Sequence, residues 1–267
     1  MKSREQASTG PIIDIHAHPR GLHVSDDPGR GYVDDLVEYA RSIGISKMGA
    51  LGEVLFRESG YSAVEMRWLN DRNAELVSWH PEFFFPFCFI DPMLGGEFVK
   101  GEVRRCYEYH GFRAIKLEIA CNVANPSTHA VFEIASEFDF PMLVHATSTD
   151  VLGNRDHQSD SADVRKALAD HPEVRVNMAH LTAVGVRGVW DVLDMANVVI
   201  DTSGMQPDSG IVEYAVHHIG SDRVLFGSDA FYRDLAPQLG QVLGAAITDE
   251  NKQHVLFDNA RRHFNLD

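Results

Sequence analysis

Short apolar runs alternate with longer amphipathic stretches along nearly the whole chain. Ile12–His16 reads as the first strand. Val33, Leu36, Val37, Ala40 and Ile43 then recur at helical spacing, which predicts a helix that stops at Gly44. Further strands are predicted at Ser46–Gly52, Phe83–Ile90, Ala114–Leu117, Met142–His145, Val174–Ala179, Val198–Asp201 and Val224–Gly227. The intervening helices are predicted at Ser62–Trp79, Glu97–His110, Ser127–Phe138 (with Ser127 as N-cap), Ser161–Ala169, Val184–Met195, Gly210–Ile219 and Asp234–Ala246. A last helical pair, Glu250–Phe257 and Asn259–Phe264, closes the chain. Strands that alternate with helices imply a parallel sheet with right-handed crossovers. Eight such units over about 250 residues match an α/β fold of the (β/α)8 TIM-barrel type. A doubly wound open sheet is the alternative, but no Gly-x-Gly-x-x-Gly follows the first strand.

No low-complexity tract or long linker divides the chain. Residues 1–10 therefore read as a disordered polar lead, and 11–267 as one barrel domain. With 44% apolar and 24% charged residues the composition is that of an ordinary globular protein. No run of about 18 apolar residues is present, so no membrane span is expected. Met1 to Gly10 lacks the apolar core of a secretory signal. Cys88, Cys106 and Cys121 are unclustered and read as reduced thiols, which points to a cytoplasmic protein. The net charge of −15 argues against a nucleic-acid or anionic-membrane partner. It leaves room for an anionic small molecule, because a metal ion and a few local cations can dominate one pocket. A small-molecule substrate is the expected partner, and a homo-oligomer stays open.

The chemistry gathers where the predicted strands end. His16 and His18 are spaced i, i+2 on the first strand, so they leave one face with Cα atoms about 7 Å apart and can share a divalent metal. Strand four ends in Lys116-Leu117-Glu118, strand five at His145, strand six at His180 and strand eight at Asp229. In a (β/α)8 barrel these ends all face one site. Each can bind a metal or move a proton.

These motifs carry a resemblance. Asp14-Ile15-His16-Ala17-His18, Gly111-Phe112-Arg113-Ala114-Ile115-Lys116-Leu117, Val144-His145, Ala179-His180, Gly227-Ser228-Asp229 and the closing Asn259-Ala260-Arg261-Arg262-His263-Phe264 stand in this order. The chain resembles the amidohydrolase superfamily, in the branch that contains aminocarboxymuconate-semialdehyde decarboxylase and related hydrolases. The resemblance implies a barrel, a divalent metal, and hydrolysis or non-oxidative decarboxylation. It implies His16, His18 and His145 as ligands, and Asp229 as both ligand and general base. Asp229 could instead cap the helix after Phe231. His180 would hold the nucleophilic water, polarise the substrate, or bind a second metal.

Three imidazoles do not name the ion: zinc comes first, with manganese or iron(II) as the other candidates. Lys116 and Glu118 share a face and could bridge a second metal. The branch usually carries His near position 118, and Glu118 departs from that. Lys116 could equally be an interior lysine paired with Glu118. Arg20, His23, Glu53, Arg57, Asn154, Arg155 and His157 follow strand ends and are secondary substrate-binding candidates. Cys121 has no readable histidine partner, and Trp79, Phe83, Phe84 and Phe85 read as core.

The expected activity is hydrolysis of a small ester, lactone or amide by metal-activated water, with Asp229 as proton carrier. Decarboxylases of this branch are typically longer, with extra segments over the site, and that tilts the reading towards hydrolysis. The alternative is metal-dependent, non-oxidative decarboxylation of an aromatic or muconate-type acid. A metal-dependent deoxyribonuclease is a second alternative, disfavoured by the charge. A non-catalytic metal-binding scaffold would lack a reason to keep Asp229.

Overall fold

The computed structural model describes residues 10–19, 29–52, 60–117, 119–148, 156–230 and 232–266. Most of the predicted disordered lead, Met1 to Thr9, lies outside them. The strands are β1 (Ile12–Ala17), β2 (Ile45–Ala50), β3 (Phe84–Pro86), β4 (Cys88–Ile90), β5 (Ile115–Leu117), β6 (Met142–Val144), β7 (Val176–Met178), β8 (Val198–Asp201) and β9 (Val224–Leu225). All adjacent pairs run parallel, in the order β1-β2-β3 and β4-β5-β6-β7-β8-β9. The helices are α1 (Gly29–Ser42), α2 (Ala63–Trp79), α3 (Gly96–His110), α4 (His129–Phe138), α5 (Ser161–Leu168), α6 (Leu181–Asp191), α7 (Ile211–Ile219), α8 (Leu235–Gly244), α9 (Asp249–Gln253) and α10 (Asn259–Phe264).

The protein is a (β/α)8 TIM barrel. β3 and β4 are two halves of the third barrel strand, interrupted at Phe87, whose N–H reaches Ala50 O at 3.1 Å. The last strand meets the first through Ile15 N–H to Phe226 O at 3.0 Å and Asp229 N–H to His16 O at 2.7 Å. The strand triplets Ile115–Leu117, Met142–Val144 and Val176–Met178 are buried on both faces, as a sheet covered by helices requires. Each fully buried aliphatic side chain there contributes about 1.5–3 kcal/mol.

Two apolar layers result. Ile13, Ile15, Leu51, Phe87, Leu143, Ala179, Leu225 and Phe264 fill the barrel interior. Ile12, Met48, Cys88, Ile115, Met142, Val176 and Val198 belong to the larger cluster that packs the strands against the helices. Strict alternation along β1 would set His16 and His18 on the face opposite Ile13 and Ile15. Register shifts against β2, one of them between Asp14 and Ala17, break that alternation. His16 and His18 consequently line the cavity above Ile13 and Ile15.

Local sequence explains most of the helix ends. Ser62 caps α2 in a capping box with Glu65, and Asp160 does the same for α5 with Asp163. Ser127 is not the cap expected of it. It lies inside a 3-10 turn, Pro126–Thr128, capped by Asn125, and α4 begins only at His129. The sixth helix starts earlier than its apolar pattern suggests, at Leu181, and is broken at Gly185 (φ 61°, ψ −157°). The final two helices are joined by a π-helical turn, His254–Asp258. Phe83 and Phe84 are buried core, as expected, while Trp79 and Phe85 are partly buried against it.

Candidate metal centre

A cavity of about 360 Å³ opens at the C-terminal ends of the strands. His16, His18, Lys116, His145, His180 and Asp229 all line it, so residues spread over more than two hundred positions converge as the strand-end pattern predicts. Glu118, Arg20, His23, Glu53, Arg57, Asn154 and Arg155 lie outside the described residues. His157 donates from Nδ1 to Ala120 O at 2.8 Å and lines a small adjoining cleft with Cys121 and His145, not the main cavity itself. Cys121 is buried, and burial pushes its thiol up to about 12, which removes it as a nucleophile.

Three of the imidazoles have their Nδ1 atoms engaged. His18 Nδ1 lies 3.0 Å from Gly52 O, and His180 Nδ1 lies 3.1 Å from Ala146 O. A carbonyl oxygen only accepts, so both Nδ1 atoms carry the hydrogen. His16 Nδ1 lies 3.1 Å from Asp201 Oδ2, and Ser203 Oγ is 3.2 Å from the same nitrogen. The Nε2 lone pairs are therefore left to face one volume. Asp229 Oδ1 stands 3.5 Å from His16 Nε2 and 3.4 Å from His18 Nε2. Ligand atoms of His16, His180 and Asp229 lie within 4.8 Å of one another. Buried imidazoles fixed as Nδ1–H tautomers beside a carboxylate are the donor set a divalent ion takes. The residues fit a metal.

The electrostatics agree. Burial would raise Asp229, but the His18 hydrogen bond and the charges of His16 and His180 outweigh it and hold the carboxyl at about 2. Burial drives His145 well below its ordinary value and His180 down to about 4, so both stay neutral with lone pairs to give. Burial also lowers His18, whereas for His16 the pull of Asp201 and Asp229 prevails over burial.

The backbone aims two of these groups under strain. His180 (φ 72°) and Asp229 (φ 61°) are two of the four non-glycine residues with positive φ among those described. Such conformations cost of order 1–3 kcal/mol and persist where the surroundings fix them. Asp229 is held by its N–H to His16 O, and by Ser228, whose N–H and Oγ donate to Asp14 at 3.0 and 2.5 Å. His180 is held by its N–H to Asp201 Oδ1 at 3.3 Å.

Pattern reading missed Asp201, Ser203, Tyr232 and Arg233. Asp201 is fully buried and takes hydrogen bonds from His16, Asn177, His180 and Ser203. Burial opposes its ionisation, but His16 and His180 outweigh that and hold it well below the usual carboxylate range. Its signal was available: it ends a barrel strand, like the residues that were found.

The sequence pattern of the amidohydrolase family matches residues 13–266. The chain belongs to that family. No curated protein matches the sequence. Among solved structures it is similar to the 5-carboxyvanillate decarboxylase of Sphingomonas paucimobilis, at a TM-score of 0.75 and 14% identity over 96% of this chain and 99% of that one. The 2,6-dihydroxybenzoate decarboxylase of Rhizobium gives 0.75 and 17% identity over 97% and 99%. A dihydroxybenzoic acid decarboxylase of Polaromonas sp. JS666, with manganese and 2-nitroresorcinol bound, gives 0.75 and 17% over 96% and 97%. At these identities the likeness is one of fold.

The hydrolase expectation is corrected by this comparison. It leaned on decarboxylases being longer, with added segments over the site. The chain matches 99% of two of them, so length does not set it apart. The similar structures are mostly decarboxylases of aromatic acids, which favours that alternative over ester, lactone or amide hydrolysis. None of those named here is a nuclease. None of the helices among the described residues is long and apolar enough to cross a membrane.

Proposed function

We propose that this amidohydrolase-family enzyme is a metal-dependent, non-oxidative decarboxylase of an aromatic or muconate-type carboxylic acid. The observation that carries the reading is the tautomer-locked donor set beside Asp229, opening on a cavity walled by Ile119, Met205 and Tyr232 with Lys116 and Arg233 as cations. That combination suits a planar, apolar anion.

His16, His18, His145 and Asp229 would hold the ion, with His180 in reach of the same point. Manganese is preferred here over the zinc first expected because a similar decarboxylase has it bound; the donor set accepts either ion. When bound, the ion supplies positive charge that orients the acid and draws electron density from it.

The remaining work falls to the chain. Asp229 is ionised at neutral pH, so it takes up one proton per turnover and delivers it to the ring carbon that bears the carboxylate. The carbon–carbon bond then breaks, its electron pair returns to the ring, and carbon dioxide leaves. One acid anion and one proton give one arene and one carbon dioxide. His180, neutral and with Nδ1–H bound to Ala146 O, presents Nε2 as a fixed acceptor for a substrate hydroxyl.

The test is a panel of hydroxybenzoic and muconate-type acids, with esters and lactones beside them, given to manganese-loaded protein. Carbon dioxide equimolar with the decarboxylated product, lost on chelation, is the expected result. Ester or lactone cleavage with no carbon dioxide from any acid would sink the proposal.

A further inference from the structure

A second cavity, of about 310 Å³, lies at the end of the barrel opposite the metal centre. Its lining residues Arg175, Asn197 and Arg223 immediately precede β7, β8 and β9, so it sits where those strands begin, and Arg262 and His263 of α10 border it. Three arginines line it against Asp222, the single carboxylate among the described lining residues, on a chain that carries −15. A cationic recess on so acidic a protein concentrates anions.

The guanidinium groups are held in place but poorly neutralised. Arg223 donates to backbone carbonyls, with Nε on Val198 O at 2.9 Å, Nη1 on Leu193 O at 3.0 Å and Nη2 on Val192 O at 2.6 Å. Burial works against its charge more than Asp222 and Asp194 support it. Arg262 Nη2 donates to Asp222 O at 2.9 Å and to Asn259 Oδ1 at 2.8 Å, both uncharged acceptors. Arg175 does meet a carboxylate, Asp139 Oδ1 at 3.2 Å, and its Nη1 holds the His263 carbonyl. His263 lines the same cavity, 8% exposed, and its buried Nε2 has no hydrogen-bond partner among the described residues. After burial, the charges of Arg175 and Arg262 weigh most on that imidazole, so two guanidinium groups already act on one point. A buried ring nitrogen without a partner costs free energy that a bound ligand recovers.

We infer that this cavity is a second ligand site, which takes a small oxyanion of the phosphate type. It is independent of the decarboxylase reading, because none of its lining residues lines the metal-centre cavity. A multivalent oxyanion suits it better than a single carboxylate, since guanidinium groups reach it from several elements. Arg175 precedes β7, Arg223 precedes β9 and Arg262 lies on α10. A bound anion therefore ties the last helix to the strand starts and stabilises the folded chain by mass action.

The test is calorimetric and melting titration of the manganese-loaded protein with inorganic phosphate and with glycerol phosphate, at an ionic strength held constant with chloride. Both anions are expected to bind and to raise the melting temperature beyond the effect of chloride. The tighter of the two identifies the source as free phosphate or a phosphate monoester, and either supports the site. Arg262→Gln should weaken binding about tenfold, the scale of one charge-assisted partner. Asp222→Asn should tighten it about threefold, because it removes the carboxylate that repels the ion. A variant that binds more tightly is not a misfolded one, so the pair of substitutions separates recognition from folding. Phosphate held at the metal centre would be indifferent to both. Absence of binding to the wild type, or binding that neither substitution changes, overturns the assignment.

Discussion

Asp201 Oδ2 lies 3.1 Å from His16 Nδ1 at the end of a hydrogen-bond path that crosses 185 residues of sequence. The same carboxylate takes Asn177 Nδ2 at 2.7 Å, and its other oxygen takes the backbone N–H groups of Ser203 and His180. One buried carboxylate thereby fixes the tautomer of one imidazole and the backbone of another. Asp201→Asn keeps the shape but loses the charge that makes His16 basic. Manganese affinity is expected to fall about 10–100-fold while the fold survives. A metal titration monitored beside circular dichroism checks this, and wild-type affinity in the variant would contradict it.

Gly204 is needed where it stands. Its φ is +117°, and a Cβ there would lie 2.9 Å from His180 Cβ and 2.9 Å from Thr182 Oγ1. Its carbonyl also holds Arg233. Gly204→Ala should cost about 1–3 kcal/mol from backbone strain and displace His180. A lower melting temperature together with reduced manganese occupancy is expected. An unchanged melting curve would mean that the loop relaxes freely.

The parts legible in the sequence are those set by local pattern. Alternating strands and helices gave the barrel, and strand ends such as Val144-His145 and Ala179-His180 gave residues that do meet in one cavity. What escaped depends on contacts between distant strands. The register shift in β1 that turns His16 inward is set by pairing with β2, which no local periodicity encodes. The break of the third strand at Phe87 falls where its pairing passes from β2, along Phe84–Pro86, to β5, along Cys88–Ile90. Asp201 does end a strand, as the other site residues do, but its role as the partner of His16 and His180 lies in what it touches. Arg233 is tied by its backbone N–H to Asp229 O, a contact that no local periodicity announces. The reaction escaped for a different reason: hydrolysis and decarboxylation call on the same metal ligands, so the ligand motifs by themselves do not separate them.

His263 ties stability to pH far from the metal centre. It is 8% exposed, Arg175 Nη1 donates to its carbonyl, and its Nε2 has no hydrogen-bond partner among the described residues. Burial first, then Arg175 and Arg262, bring its pKa from 6.5 down to about 3. A histidine depressed in the folded state is protonated more readily in the unfolded chain. Its contribution is therefore fully present above pH 6.5 and is lost as pH falls towards 3, at about 1.4 kcal/mol per pH unit. His263→Phe removes the titration. Urea unfolding at neutral pH and at pH about 5 should show the variant gaining about 2 kcal/mol relative to the wild type on acidification. Parallel losses in both proteins would mean that the imidazole is not the group responsible.

Asp229→Asn separates binding from proton transfer. The amide is close to the carboxylate in size, and its oxygen can still face His16 and His18, now 3.5 and 3.4 Å from Oδ1. An amide cannot carry a proton to carbon at neutral pH. Turnover should fall by at least about 1,000-fold, the scale of losing a positioned general acid. Manganese should remain largely bound, because His16, His18 and His145 keep their lone pairs. Metal analysis, isotherms for a substrate acid and single-turnover rates on the same preparation distinguish the cases. Loss of metal would make Asp229 chiefly a ligand. Full activity with metal retained would remove it from the chemistry, and the proton would then have to come from His180 or solvent. Between those outcomes lies the expected one: an enzyme that binds its acid and its ion and releases almost no carbon dioxide.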